Sequence, residues 1–298
     1  MTTKMDFQHF APHIDKIPKV TPRQIASTAL WNVCLCRLSG DNFSISTWMA
    51  IGATLQGLLV LFARPTFAIA PAALVLLYRF SHTMLMHYGF IRNTQMEDVI
   101  MGKYTVQIPD KDGKPPSEPS ETGMAVIMLG MRNNSALGMF GSGALDASLK
   151  FQAMLKDLEN DPDSGFLGMC GYRAANERPT ANGFMSVLYF RSVEDINRFA
   201  HAPLHREVWD WFVELSKTHK HLSIMHEVYS APKKNWENIF INYHLTGIGK
   251  ILKPVILNGK EYTPIANAQR GPLSTHKGRT GNSRSGADEK EYLIDVEE

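Results

Sequence analysis

Hydrophobic positions along the chain change their spacing three times. Residues 45–63, ISTWMAIGATLQGLLVLFA, carry no charge and stay apolar for about the 20 residues that cross a hydrocarbon core. A polar break, RPT, is followed by a shorter apolar run, FAIAPAALVLLY at 67–78, with Pro71 inside it; prolines are tolerated in membranes. The pair predicts a helical hairpin in a membrane. Forty-four polar-to-mixed residues precede the first run, so it does not read as a signal peptide. Arg23 and Arg37 stand before the pair, and Arg79, Arg92 and Lys103 after it. The positive-inside bias therefore places both ends on the cytosolic side. A re-entrant or interfacial hairpin, or a buried hairpin in a soluble core, are the alternatives.

The second regime runs from 124 to about 245. MAVIMLGM, 124–131, is a continuous apolar run of strand length. Residues 145–161 place Leu145, Leu149, Met154, Leu155 and Leu158 at helical spacing. GFLGMCGYR at 165–173 and FMSVLYF at 184–190 read as strands, separated by the turn AANERPTANG. Ser192 and Asp195 have the spacing of a helix-opening capping box before VEDINRFAH. Pro203 suits the first turn of PLHREVWDWFVELSK, and HLSIMHEVY at 221–229 is a last strand. The order β-α-β-β-α-β is the ferredoxin-like split unit, an α+β fold with helices on one face of an antiparallel sheet. The other face needs a cover. Dimerisation into an α/β barrel is the common solution, and a cavity between sheet and helices then becomes available. The hairpin, or residues 236–267, could cover part of that surface instead.

The third regime is polar. PDKDGKPPSEPSETG, 109–123, is proline-rich and charged and reads as a linker. From about 268 the chain is poor in apolar residues and reads as disordered. The domain reading is an N-terminal cytosolic segment (1–44), a membrane hairpin (45–80), a connector and linker (81–122), a ferredoxin-like domain (123–250) and a C-terminal extension (251–298).

Composition narrows the function classes. Lys and Arg total 31 against 29 Asp and Glu, which gives no electrostatic footprint for nucleic acid. Cys34, Cys36 and Cys170 cannot make a disulfide framework, and the C-x-C spacing supports neither a redox motif nor a zinc knuckle. This points to a reducing, cytosol-facing domain.

The stretches MRNNSALGMFG, FQAMLKDLENDPDSGFLGM, FAHAPLHREVWDWF, HLSIMHEVY and NWENIFINYHLTGIG, in this order, resemble the fungal family of the fumagillin-pathway monooxygenase. That family is related in fold to the antibiotic-biosynthesis monooxygenases. The resemblance covers roughly residues 122–250 and extends loosely into the apolar N-terminal part. It implies a homodimeric α/β-barrel oxygenase that acts on a secondary metabolite, with N-terminal helices embedded in a membrane. The expected setting is the endoplasmic reticulum with the catalytic domain in the cytosol.

Within FAHAPLHREVWDWF, an unbroken helix would put His201, His205 and Trp209 on one face, but Pro203 interrupts it. An imidazole here could take a proton from an enol or phenol, giving an anion that molecular oxygen attacks; its ordinary pKa suits this. His226 and Glu227 are strand neighbours and face opposite ways. Ile224 and Val228 keep company with His226, which makes it the inward one. His201, His205 and His226 are thus the candidate bases, against the alternatives of a capped helix end, an exposed ring and a core histidine. Trp209, Asn238, Tyr243 and Arg132 are the candidate substrate contacts: an aromatic wall, two hydrogen-bonding groups and a guanidinium for an anionic oxygen. Their structural alternatives are core packing, seating of the C-terminal segment and a satisfied turn. No metal is expected, since H-x-x-x-H lacks the glutamate of a zincin helix. No G-x-G-x-x-G follows a strand, so no nicotinamide or flavin is expected either. The leading expectation is oxygen chemistry on an apolar polyketide or terpenoid without a cofactor. A haem enzyme, which needs a single axial histidine, and a non-catalytic carrier of an apolar ligand stay open.

Overall fold

A computed structural model describes residues 11–12, 44–138, 141–174, 183–252, 254–257 and 259–282. Arg23, Arg37, Cys34 and Cys36, most of the turn 174–183 and the chain beyond 282 lie outside the described residues. The chain divides into two compact units: residues 20–98 with 175–181, and the remainder.

The first unit contains the hairpin. Helix α1, Ile45–Phe62, opens on Ser44, whose hydroxyl accepts the Thr47 N–H at 3.3 Å. Ala63 and Arg64 form the whole connection, and α2, Pro65–His87, begins on a proline whose missing N–H costs nothing at that position. Helix α2 runs through Pro71 and well past residue 78. Both helices are long and apolar enough to cross a membrane. Most of their apolar side chains are exposed; Ala68 is buried and Ala70, Met84 and Met86 are half-buried.

The second unit contains the split unit. Strands β1 (Ala11–Pro12) and β2 (Val99–Val106) precede it. Its members are β3 (Met124–Asn133), α3 (Ala144–Asn160), β4 (Phe166–Ala174), β5 (Gly183–Phe190), α4 (Val193–His201), α5 (Pro203–Thr218) and β6 (Leu222–Ala231). The four strands form one antiparallel sheet in the order β4-β5-β3-β6, the α+β ferredoxin-like arrangement. Ser192 caps α4 by accepting the Asp195 N–H at 3.2 Å and donating to the Asp195 carboxylate at 2.7 Å. Ala202 is extended and separates α4 from α5.

One face of the sheet is settled by packing. Ala125, Ile127, Leu188 and Phe190 are buried against Leu158, Ile196 and Phe199 of the helices. The helices lie over β3, β4 and β5, which leaves β6 as an edge with Ile224 46 % and Val228 42 % exposed. The space expected as a cavity between sheet and helices is filled by this core. A small cleft of about 50 Å³ opens beside Leu158, Arg198 and Phe199, room for a few waters.

The remaining strands are β7 (Phe240–His244), β8 (Val255–Leu257), β9 (Lys260–Thr263) and β10 (Ile265–Asn267), with short helices α6 (Ile248–Ile251) and α7 (His276–Arg279). They form two further three-stranded sheets, β10-β2-β7 and β1-β9-β8. The expected connector, 81–122, therefore contains β2, and residues 109–123 are held in place rather than loose. Ser120 is fully buried and donates to the Trp236 carbonyl at 2.7 Å. Nor does disorder begin at 268. Ala268 and Leu273 are buried together, and Arg279 Nε donates to Glu237 at 2.5 Å while nearly inaccessible to solvent.

Candidate functional site

The register of β3 with β6 decides which histidines meet. Leu129 packs on the helix-side core and is paired with His226, so His226 stands on the same face. It is on the side expected of it, but exposed, because no helix covers the edge strand. From above, α4 ends on His201, whose Nδ1 donates to the Asn197 carbonyl at 2.7 Å and so closes its own helix. The break at Ala202 turns the chain. His205, in the first turn of α5, then lies edge-on against Phe199 with ring centroids 4.7 Å apart.

His205 is the distinctive member. It is half-buried, and its Nδ1 is shielded from solvent without a well-formed hydrogen bond. Burial pushes its pKa below the ordinary histidine value; the Ala200 backbone opposes this, and the charges of Arg206, His201 and His226 reinforce it. His205 and His226 both belong to the helix side of the sheet, His205 through Phe199 and His226 through its pairing with Leu129. Trp209, one helical turn beyond His205, is 44 % exposed on the same side. The result is an open surface rather than a closed chamber: Ile224, His226 and Val228 form an exposed strip on the helix side of β6, next to Leu129 of β3.

The other expected substrate contacts lie elsewhere. Arg132 belongs to the opposite parity of β3 from Leu129 and so projects from the face away from the helices. Tyr243, 49 % exposed on β7, stacks on His244 and acts electrostatically on Tyr172 of β4. Asn238 is a correction: its amide is already spent. The side-chain oxygen accepts the Val106 N–H at 2.7 Å and the nitrogen donates to the Val106 carbonyl at 2.8 Å. It therefore extends the β2–β7 pairing as a clamp. Phe199 was missed by sequence reasoning. It reads as one more apolar helix position, and its role against His205 depends on the break at Ala202.

The opposite sheet face carries a separate polar group. Cys170, a free and buried thiol, lies 3.8 Å from the Thr246 hydroxyl. Gly247, in left-handed backbone, leaves space above the Tyr189 hydroxyl; a β-carbon there would come within 3.3 Å of it. Among the described residues no cluster of three or more His, Cys, Asp or Glu could hold a metal ion.

Residues 124–248 match the model of the family described as monooxygenase af470-like. Monooxygenase af470 of Aspergillus fumigatus is 32% identical over 250 residues, which covers 81% of this chain and 88% of that protein. Among solved structures, an aldoxime dehydratase in complex with butyraldoxime is 18% identical, with a TM-score of 0.39. The alignment takes in 52% of this chain and 42% of that one, so the chain spans less than half of the dehydratase's length. SnoaB, a cofactor-independent oxygenase from Streptomyces nogalater, is 10% identical over 35% of this chain and 90% of its own, with a TM-score of 0.25.

Proposed function

Because the chain belongs to the monooxygenase af470-like family and is thereby an enzyme of the monooxygenase class, we propose that it oxidises an apolar polyketide or terpenoid intermediate of fungal secondary metabolism, held to a membrane by its hairpin, with His205 as the general base. The observation that carries the assignment of the base is a half-buried imidazole whose protonated form is disfavoured. Such a ring is neutral near pH 7 and ready to accept a proton. With Nδ1 shut inside, Nε2 is the atom assigned to meet substrate.

The chemistry follows from that assignment. Removal of a proton from an activated C–H or phenolic O–H leaves an electron-rich carbanion, which can pass an electron to molecular oxygen. Recombination gives a substrate hydroperoxide, protonated by the imidazolium. Loss of water then leaves one oxygen atom as a carbonyl and places the other in water. The substrate supplies all the electrons, which restricts it to readily oxidised anions. Trp209, Ile224 and Val228 would receive its apolar body, and His226 a polar edge. The exposed, apolar face of the sheet, where Met225 is 41 % and Tyr229 53 % exposed, is proposed as the surface that meets a second copy. The endoplasmic reticulum, with the site in the cytosol, is the proposed location.

The test is oxygen uptake by membranes containing the protein, supplied with the metabolite that accumulates when the gene is deleted. His205→Gln should abolish it. Full activity in that variant would remove His205 from the mechanism. A haem reading would rest on His226, the exposed imidazole flanked by the apolar Ile224 and Val228, as axial ligand; bound there, haem would supply the oxygen chemistry. A Soret band present in purified protein and lost in His226→Ala would favour it.

A further inference from the structure

We infer that the α1–α2 hairpin crosses its bilayer completely, with Arg64 in the headgroup layer of the far side, instead of dipping into one leaflet and returning. The inference rests on the membrane-anchor reading above and adds depth and topology to it. Its starting point is the two-residue connection. Ala63 and Arg64 are all that separates the helices, so Arg64 sits at the extreme tip. A hairpin that turned around inside the bilayer would carry that guanidinium into hydrocarbon, at a cost of about 2.5–3.5 kcal/mol on insertion scales. A hairpin that crosses delivers it to phosphates.

Lengths agree with crossing. The 18 residues of α1 rise about 27 Å at 1.5 Å each, close to the roughly 27 Å hydrocarbon thickness of the endoplasmic reticulum. On α2 the uncharged stretch ends at Arg79, fifteen residues after Arg64, or about 22 Å along the axis. The shortfall of about 5 Å is shared between two arginine stems that extend toward opposite headgroup layers. Aromatic positions mark the same height on both helices. Trp48 lies fourteen residues from the tip end of α1, and Tyr78 thirteen from the start of α2, each about 20 Å from the tip and so about 7 Å below the near interface, within a side chain's reach of the belt that amphipathic rings form there.

Two polar side chains between these levels find partners within the hairpin itself. Gln56 Nε2 donates to the Ala68 carbonyl at 2.9 Å, across to the other helix, and Thr54 Oγ1 to the Ala50 carbonyl at 2.8 Å. A helix lying flat in the interface would keep such groups for water on one face. Here they are closed off internally, as a lipid surround requires.

The experiment uses the full chain with Cys34, Cys36 and Cys170 changed to Ser, inserted into sealed vesicles with the sheet-containing unit outside. One variant adds Ala63→Cys at the tip, another Thr66→Cys beside it, and a third Gln95→Cys after α2. A membrane-impermeant maleimide should label Gln95→Cys in sealed vesicles. It should label both tip positions only after a pore-forming toxin admits it with the bilayer intact. Tip labelling in sealed vesicles would overturn the inference, and so would tips that stay unlabelled with reagent on both sides. Release of the protein by alkaline carbonate would instead overturn the membrane anchor itself.

Discussion

His205→Phe separates catalysis from packing at the proposed base. The phenyl ring keeps the edge contact with Phe199 but cannot accept a proton. If His205 is the general base, kcat/KM for oxygen uptake falls by about 10²–10⁴, or roughly 3–5.5 kcal/mol of transition-state stabilisation. Folding should respond in the opposite sense. Nδ1 is shielded without a well-formed partner, a penalty of about 1–3 kcal/mol when a donor or acceptor goes unmet, and the phenyl ring removes it. The urea midpoint should hold or rise. The acid limb of stability follows from the same residue. Its folded pKa is depressed below 6.5, so above that pH both states are neutral there and stability is unaffected. As pH falls below 6.5 the unfolded chain binds the proton more readily, and stability is lost until the folded pKa is reached. The variant should lose less over that interval. Oxygen uptake within about threefold of the parent, beneath the range expected of a base, would refute the mechanism. So would a variant that fails to fold, because His205 would then be a structural residue.

Three other outcomes follow from the same geometry. In His226→Gln the acid limb of kcat/KM should move upward toward 6.5, because His226 is one of the charges that lowers the His205 pKa; an unchanged or lowered limb in pH-rate profiles would show that the two rings do not communicate. Asn238→Ala removes both bonds to the Val106 backbone and should cost about 2–4 kcal/mol in urea unfolding, while the folded fraction keeps its kcat/KM. A hairpin with about 22 Å between its arginines should insert more completely into vesicles of short-chain than of long-chain monounsaturated phosphatidylcholine, measured by flotation; equal insertion would remove the length argument.

The seven elements of the split unit were legible because each states its period locally: apolar runs for β3 and β5, 3.6-residue spacing for α3, Ser192 and Asp195 for the start of α4. The second and third sheets were not. In β2, Gly102 and Lys103 interrupt the apolar pattern where the pairing with β7 shifts register, and β8 to β10 are three or four residues each. Such strands take their meaning from distant partners. The same limit governs Asn238, whose side chain copies a backbone ladder bond, and Arg132. Alternation separates the two faces of β3, but the side on which the helices land is a tertiary fact.

His226 shows how far a correct local rule reaches. Alternation put it with Ile224 and Val228, and that grouping survives; apolar company suggested burial, which does not. The reason lies in the number of helices available. Two crossovers supply three helices, of which α3 and α4 cover β3, β4 and β5 while α5 packs on the other two, so the helix-side surface of the fourth strand stays open. In an ordinary soluble domain an edge with Ile224 and Val228 bare would be a liability. Here the open edge carries His226 on the same side of the sheet as the helices that hold His205. Pro203 and Ala202 complete the arrangement. Had the helix run on unbroken, His201, His205 and Trp209 would have lined one face by spacing alone. The break instead lets His201 finish α4 and lets α5 start afresh with His205 against Phe199. Extending α4 through the break, for instance with Pro203→Ala, should therefore lower oxygen uptake without unfolding the sheet, and unaltered turnover would mean that the turn does not position the base.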